Sequence, residues 1–94
     1  MPLPLVVAHR AFGGPYPENT LAGVEAALAL GVDAIEVDLR RTRDGHLVLM
    51  HDATLHRTAG DPRSISALDL TDLDAVRLRA TTASGEPQPV PTLE

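Results

Sequence analysis

The pattern that most constrains the fold is a strand–helix–strand succession within the first 39 residues. Leu5-Val6-Val7-Ala8 is a continuous apolar run with adjacent β-branched residues, the signature of a short strand buried on both faces. A loop with Gly13-Gly14-Pro15 and Pro17 as breakers follows. Asn19 or Thr20 can then cap a helix from about Leu21 to Leu30, with Leu21, Val24 and Leu28 at helical spacing and Gly31 as its terminator. Gly23 weakens that helix by up to ~1 kcal/mol relative to Ala, so packing must compensate. In Ala34-Ile35-Glu36-Val37-Asp38-Leu39, Ile35, Val37 and Leu39 alternate with Glu36 and Asp38. Together these segments form a βαβ unit, which is parallel and almost always right-handed.

Beyond it, Thr42-Arg43-Asp44-Gly45 reads as a turn and Leu47-Val48-Leu49-Met50 as a third strand ending at His51-Asp52. The connection is too short for a helical crossover, which needs about 10–12 residues. Two solutions stay open: the second strand runs on into a hairpin, or the chain returns to the floor of the sheet in extended form. Residues 53–70 read as loop with a short strand at Ser64-Ile65-Ser66. Thr71-Asp72-Leu73-Asp74 reads as a cap followed by one or two helical turns through Leu78. Thr81 to Pro89 reads as a polar linker, and Pro91-Thr92-Leu93-Glu94 as the opening of a further helix.

Composition removes several function classes. Ninety-four residues allow one domain, and an apolar content of 44% is that of a globular chain. One Phe and one Tyr cannot furnish a stacking platform for single strands, and a net charge of −5 argues against a nucleic-acid partner. The absence of cysteine excludes disulfides, zinc fingers, iron–sulfur clusters and thiol nucleophiles. No apolar run reaches the ~20 residues of a membrane span, and no basic segment precedes the short apolar start. The expectation is a soluble, cytoplasmic protein.

Charged and titratable groups gather at the ends of the expected strands: His9-Arg10, then Glu36 and Asp38, then His51-Asp52. Ligands of parallel α/β proteins bind at the carboxyl ends of strands. Glu36 and Asp38 share one strand face about 7 Å apart, and such a pair in a semi-buried mouth calls for a cation. Carboxylates and water suit a hard divalent ion, Mg²⁺ or Ca²⁺; the alternative is a polar strand face in solvent. His9 and His51 are suited to proton transfer near neutral pH, one deprotonating a nucleophile and the other protonating a leaving alkoxide. Arg10 offers a planar fork for phosphate oxygens. Two acid–base groups, a hard cation and an arginine fit phosphodiester cleavage. Asp52 either orients His51 or caps a local turn. His46 and His56 read as solvated, and Arg40, Arg41 and Arg43 as a charged strand end. Gly13-Gly14 could leave backbone N–H groups free for phosphate, which without a following fingerprint is a weak signal.

The ordered set His9-Arg10, Pro17-Glu18-Asn19-Thr20, Glu36-Val37-Asp38, Thr42-Arg43-Asp44-Gly45, His51-Asp52-Ala53-Thr54-Leu55 with Arg57-Thr58, and Val90-Pro91-Thr92-Leu93-Glu94 closely resembles the start of the glycerophosphodiester phosphodiesterase family. The resemblance covers nearly the whole chain. It implies a TIM (β/α)8 barrel of the phospholipase C-like phosphodiesterase type and hydrolysis of small-molecule glycerophosphodiesters to glycerol 3-phosphate and an alcohol. By position, it makes His9 and His51 the general acid–base pair, Arg10 the phosphate-binding residue, and Glu36 and Asp38 ligands of the divalent cation. Asn19, of the Pro-Glu-Asn-Thr segment, begins the first helix and reads as structural. It implies a further carboxylate, with a basic residue near it, on a later strand than this chain carries. Many members have Gly where this chain has Ala11.

A (β/α)8 barrel needs ~200–250 residues. The expectation for 1–94 is therefore a partial domain: about the first three strands of the barrel, with a loop or small insertion over 53–90, cut before the barrel closes. The isolated chain is then expected to be inactive. The alternatives are a non-catalytic interaction module of the same fold, and a sphingomyelinase-type phospholipase, which the Pro-Glu-Asn-Thr and Pro-Thr-Leu-Glu segments disfavour.

Overall fold

Local capping chemistry defines the first helix at both ends. The computed structural model describes residues 5–11, 16–79 and 87–93, and in it helix α1 spans Leu21–Leu30. The Thr20 hydroxyl accepts the N–H of Gly23 (3.3 Å) and donates to the Pro17 carbonyl (2.7 Å). Gly31 adopts φ 73°, open to glycine without a Cβ clash. The N–H of Val32 then returns to Ala27 O (3.4 Å) and that of Gly31 to Leu28 O (3.1 Å), closing the last turn.

The helix joins two parallel strands, β1 (Val7–Ala8) and β2 (Ala34–Ile35), with Val7 opposite Ala34 and Ala8 opposite Ile35. Parallel pairing continues one residue further, where the N–H of Glu36 meets Ala8 O (2.8 Å). The expected second strand over 34–39 then changes partner. The Asp38 carbonyl accepts the N–H of Met50 (2.8 Å), and the chain runs on as β3 (Leu39–Arg41). β3 pairs antiparallel with β4 (Leu47–Leu49), Leu39 opposite Leu49 and Arg41 opposite Leu47.

The hairpin is thus the solution adopted. The parallel sheet of the described residues has two strands, and β4 lies in a separate antiparallel pair. The third strand of the sequence reading is a hairpin arm, because five residues (42–46) close a turn and cannot cross a sheet. In that turn Gly45 takes φ 89° and the buried Thr42 hydroxyl accepts the N–H of His46 (2.9 Å).

Three further expectations change. Pro91 to Leu93 is extended rather than the start of a helix: Leu49 N–H meets Pro91 O (2.9 Å), Leu93 N–H meets Leu47 O (3.1 Å), and Thr92 bridges Val48. An extended edge suits Pro91, whose carbonyl accepts and whose nitrogen has no proton to place. Residues 53–70 contain a one-turn helix, α2 (His56–Ala59), ended by Gly60 at φ 68°. Ser64 alone bridges Thr54 before a 3-10 turn at Ile65–Ala67. A second 3-10 turn, Leu70–Leu73, is capped reciprocally by Asp69 and Asp72; it stops before Leu78, which pairs with Gln88. Most of the 81–89 linker, and Glu94, lie outside the described residues.

The apolar core sits beside the hairpin. Val48, Met50, Leu55, Ile65, Leu68, Leu73, Val76 and Leu78 form one buried cluster, with Ala59, Leu70 and Val90 packed against it. The segment read as loop or insertion therefore supplies most of the core. The βαβ unit is the converse. Leu5, Val6 and Val7, expected to be buried on both faces, are exposed, as are Leu21, Leu28 and Leu30 on α1. Among the described residues nothing covers those faces. No helix among them is long and apolar enough to cross a membrane.

Candidate active site

At the end of β1 the backbone turns through a 3-10 bend at His9–Ala11, with Arg10 at φ 51° and Ala11 at φ 54°. Two successive non-glycine residues in left-handed conformation are costly, and such strain gathers at functional sites. Three backbone bonds hold the bend: Glu36 N–H to Ala8 O (2.8 Å), Ala11 N–H to Glu36 O (2.8 Å) and Asn19 N–H to Arg10 O (2.7 Å). Ala11 is fully buried and left-handed.

The bend sets the first carboxylate. The Arg10 N–H donates to Glu36 Oε1 (3.1 Å), and His9 Nε2 lies 3.9 Å from the same oxygen. The His9 side chain is 71% exposed, open to an incoming molecule. Asn19 sets the second. Itself fully buried at φ 54°, it donates from Nδ2 to Asp38 Oδ2 (3.1 Å) and accepts the Asp38 N–H at Oδ1 (3.1 Å). Thr20 caps the helix; Asn19 instead clamps Asp38. The sequence alone places Asn19 only at the start of the helix; the clamp on Asp38, 19 residues on, is visible only in the fold.

His51 follows β4. Its Nδ1 lies 2.7 Å from Asp52 Oδ1, and its carbonyl accepts from Arg40 Nε (3.1 Å) and Nη2 (2.7 Å). Asp52 thus takes the orienting role of the two left open. Its two oxygens also meet Arg57, Oδ2 from Nε at 2.8 Å and Oδ1 from Nη2 at 3.0 Å. Arg57 in turn meets Glu18, Nη1 to Oε1 at 2.6 Å and Nη2 to Oε2 at 2.9 Å. Glu18 Oε2 also accepts from Arg10 Nη1 at 3.4 Å. The hydrogen bonds from Arg57 hold the Glu18 carboxyl below the usual carboxylate range. Arg57, and then His51, depress Asp52 strongly. Glu18 and Asp52 together raise Arg57.

Among the described residues Arg10 keeps unspent donor capacity: its buried Nε has no hydrogen-bond partner there, and its Nη1 contact to Glu18 is long. Arg43 is committed elsewhere, forked onto Asp69 (3.0 and 2.9 Å). His46 lies beside Asp44 at 3.8 Å and His56 is exposed. Gly13 and Gly14 lie outside the described residues.

Glu36 and Asp38 are candidate cation ligands. Among the described residues each is hydrogen-bonded through one carboxylate oxygen, leaving Glu36 Oε2 and Asp38 Oδ1 for a hard cation. No group of three His, Cys, Asp or Glu among the described residues could hold a metal ion. Two oxygen donors fit part of such a site, and a six-coordinate ion needs further ligands or water.

Residues 9–94 match the Glycerophosphoryl diester phosphodiesterase family, to which the chain belongs. A "Probable glycerophosphodiester phosphodiesterase 1" of Mycobacterium tuberculosis is 43% identical over 84 residues, 89% of this chain and 31% of that protein. A "Glycerophosphodiester phosphodiesterase" of Caldanaerobacter subterraneus is 43% identical over 74 residues, 76% of this chain and 30% of that protein. Among solved structures, a glycerophosphoryl diester phosphodiesterase from Parabacteroides distasonis superposes with a TM-score of 0.83 at 34% identity, covering 97% of this chain and 32% of that one. A phosphodiesterase of Oleispira antarctica, solved with the product sn-glycerol-3-phosphate, gives a TM-score of 0.78 at 32% identity, covering 97% and 37%. The chain spans about a third of the length of these relatives. Its architecture is that of the N-terminal portion of their (β/α)8 fold.

Proposed function

We propose that the protein carrying this chain hydrolyses glycerophosphodiesters to glycerol 3-phosphate and an alcohol, with His9 and His51 as the acid–base pair, Arg10 on the phosphate, and Glu36 and Asp38 as two ligands of a divalent cation, Mg²⁺ or Ca²⁺. The observation that carries the reading is the bend at His9–Ala11. It brings a histidine, an arginine and a carboxylate together at the carboxyl end of a parallel strand. Family membership supplies the reaction class.

The chemistry breaks the bond between phosphorus and the alcohol oxygen and forms one between phosphorus and the nucleophile. One imidazole removes the nucleophile's proton and the other delivers a proton to the departing alkoxide. Asp52 accepts from His51 Nδ1, which leaves Nε2 as the atom that exchanges protons. Arg10 offers a charged donor fork to phosphate oxygens in ground and transition states alike. Glu36 and Asp38 would hold the cation, which when bound neutralises charge on the phosphoryl oxygens. The chain contributes two of the ligands and both histidines; a six-coordinate ion takes further ligands or water.

The test is release of glycerol 3-phosphate from glycerophosphocholine and glycerophosphoethanolamine by the full-length protein, with and without EDTA. Turnover that stops on metal stripping and returns with Mg²⁺ or Ca²⁺ is expected. Full turnover in excess EDTA after stripping refutes the cation. A folded, metal-loaded protein inert on both esters refutes the activity in favour of a non-catalytic module.

A further inference from the structure

Arg57 has no part in the proton transfers, phosphate binding or cation binding described above, yet its guanidinium is among the most heavily engaged groups in the structure. Its Nε, Nη1 and Nη2 all donate, to Glu18 on one edge and Asp52 on the other. The Glu18 side chain is 11% exposed and that of Asp52 27%, so both pairs are partly withdrawn from water. Glu18 belongs to the segment leading into α1, 39 residues away in sequence. Asp52 follows β4, and Arg57 itself sits in α2. Charge alternates along one line, Arg10–Glu18–Arg57–Asp52–His51. A phosphate-facing group stands at one end and a proton-transferring group at the other.

We propose that Arg57 is a positioning residue that couples the placement of Arg10 to the orientation of His51, acting on both through Glu18 and Asp52. This rests on the reading of Arg10 and His51 given above. A planar fork can serve two carboxylates on two edges, whereas an ammonium is a point charge. With Arg57 removed, Glu18 keeps Arg10 as its remaining cationic partner and draws the guanidinium away from the phosphate. Asp52 loses the bonds that fix it, and the imidazole of His51 loses its orientation. One substitution then disturbs binding at one end and proton transfer at the other. An ion pair that served stability alone would do neither.

The experiment uses the full-length, metal-loaded protein with Arg57→Met, Arg57→Lys and Asp52→Asn. Two readouts are taken: steady-state kinetics on glycerophosphocholine, and the ¹⁵N shifts of the His51 ring. Arg57→Met should raise KM at least about 5-fold and lower kcat by about 10–100-fold, the range for losing an outer-shell partner. Arg57→Lys should recover only part of each. Asp52→Asn should lower kcat more than it raises KM, since Asp52 bonds His51 directly and reaches Arg10 only through Arg57 and Glu18. In the native protein the His51 shifts should report a proton held on Nδ1; in Arg57→Met they should report a mixture of tautomers. If Arg57→Met does not fold, Arg57→Lys decides by the same pattern at smaller amplitude. Unchanged KM, kcat and tautomer in a folded Arg57 variant overturn the proposal. The ring shifts do not depend on turnover, so a protein inert on the substrate refutes the phosphodiesterase reading while the tautomer still decides whether Arg57 orients His51.

Discussion

Asn19 is the residue whose removal should cost most for its size. It is fully buried, left-handed, and bonded twice to Asp38. Asn19→Ala deletes a hydrogen bond to a carboxylate, worth about 1.5–3 kcal/mol, and strands the half-buried Asp38 N–H, a penalty of about 1–3 kcal/mol. Ala at φ 54° adds about 1 kcal/mol, because Asn tolerates the left-handed region and Ala does not. Water entering the vacated space recovers part, and the net expectation is a loss of about 3 kcal/mol. Urea unfolding of the full-length protein at constant m-value measures it. Asn19→Gly separates the contributions: the backbone cost disappears, so Gly should be less damaging than Ala by up to about 1 kcal/mol. Titration calorimetry with Mg²⁺ or Ca²⁺ should show weaker binding in both variants, since Asp38 is no longer aimed. A loss below about 1 kcal/mol with unchanged cation affinity would refute the clamp.

Ala11→Gly should change stability by less than about 1 kcal/mol in a thermal melt: relief of the left-handed alanine is offset by the buried methyl lost and the extra freedom of the unfolded chain. A much larger loss would contradict the left-handed bend. Arg57 lowers the carboxyl pKa of Glu18 and of Asp52 in the fold, so their stabilisation is fully present above their unfolded values near ~4 and is lost as pH falls through the depressed folded ones. The urea midpoint of the full-length protein should therefore drop on acidification from about pH 5 to pH 2, and less steeply in Arg57→Met; parallel curves would deny the linkage. His9→Ala and His51→Ala should each lower kcat by about 10²–10⁴-fold, and the double variant by less than the product, because the two groups act as a unit. Near-native turnover in His51→Ala would end the two-histidine mechanism.

What could be read in the sequence was what short-range chemistry decides. Thr20 and Gly31 bracket α1, and the bounds Leu21–Leu30 follow from them. The parallel pairing of β1 with β2 follows from the connecting helix. The second strand was harder, because Glu36 and Asp38 alternate as in any strand while the backbone between them passes from one sheet to another. That exchange is a matter of hydrogen-bond partners, Ala8 on one side and Met50 on the other, and no side-chain pattern encodes it. Burial failed for a related reason. A run such as Leu5-Val6-Val7 shows what a face needs, and cannot show whether the same chain supplies the cover. Residues 53–78 erred the opposite way: their polar, turn-rich spacing hid Leu55, Ile65, Leu68, Leu73, Val76 and Leu78, which converge without any helical or strand period. Asn19, Glu18 and Arg57 stand out as letters of motifs, but the links that join them across the fold, Asn19 to Asp38 and Glu18 to Arg57, span 19 and 39 residues.

The candidate site lies on the seam between these two unequal pieces. The main buried cluster draws every member from residues 48–78 and none from the βαβ unit. Across the seam run polar links instead: Arg57 to Glu18, and the Met50 N–H to the carbonyl of Asp38, whose side chain Asn19 clamps from within the βαβ unit. An apolar seam would tolerate small shifts, since dispersion contacts have no preferred direction. Hydrogen bonds and forked ion pairs do have one, and they fix distance and angle together. His9 and Arg10 come from one piece and His51 from the other, so their relative placement is set by these directional links. Catalytic groups need positioning to about 0.5 Å. Conservative polar changes at the seam should therefore damage chemistry more than stability, while changes within the buried cluster of 48–78 should do the reverse.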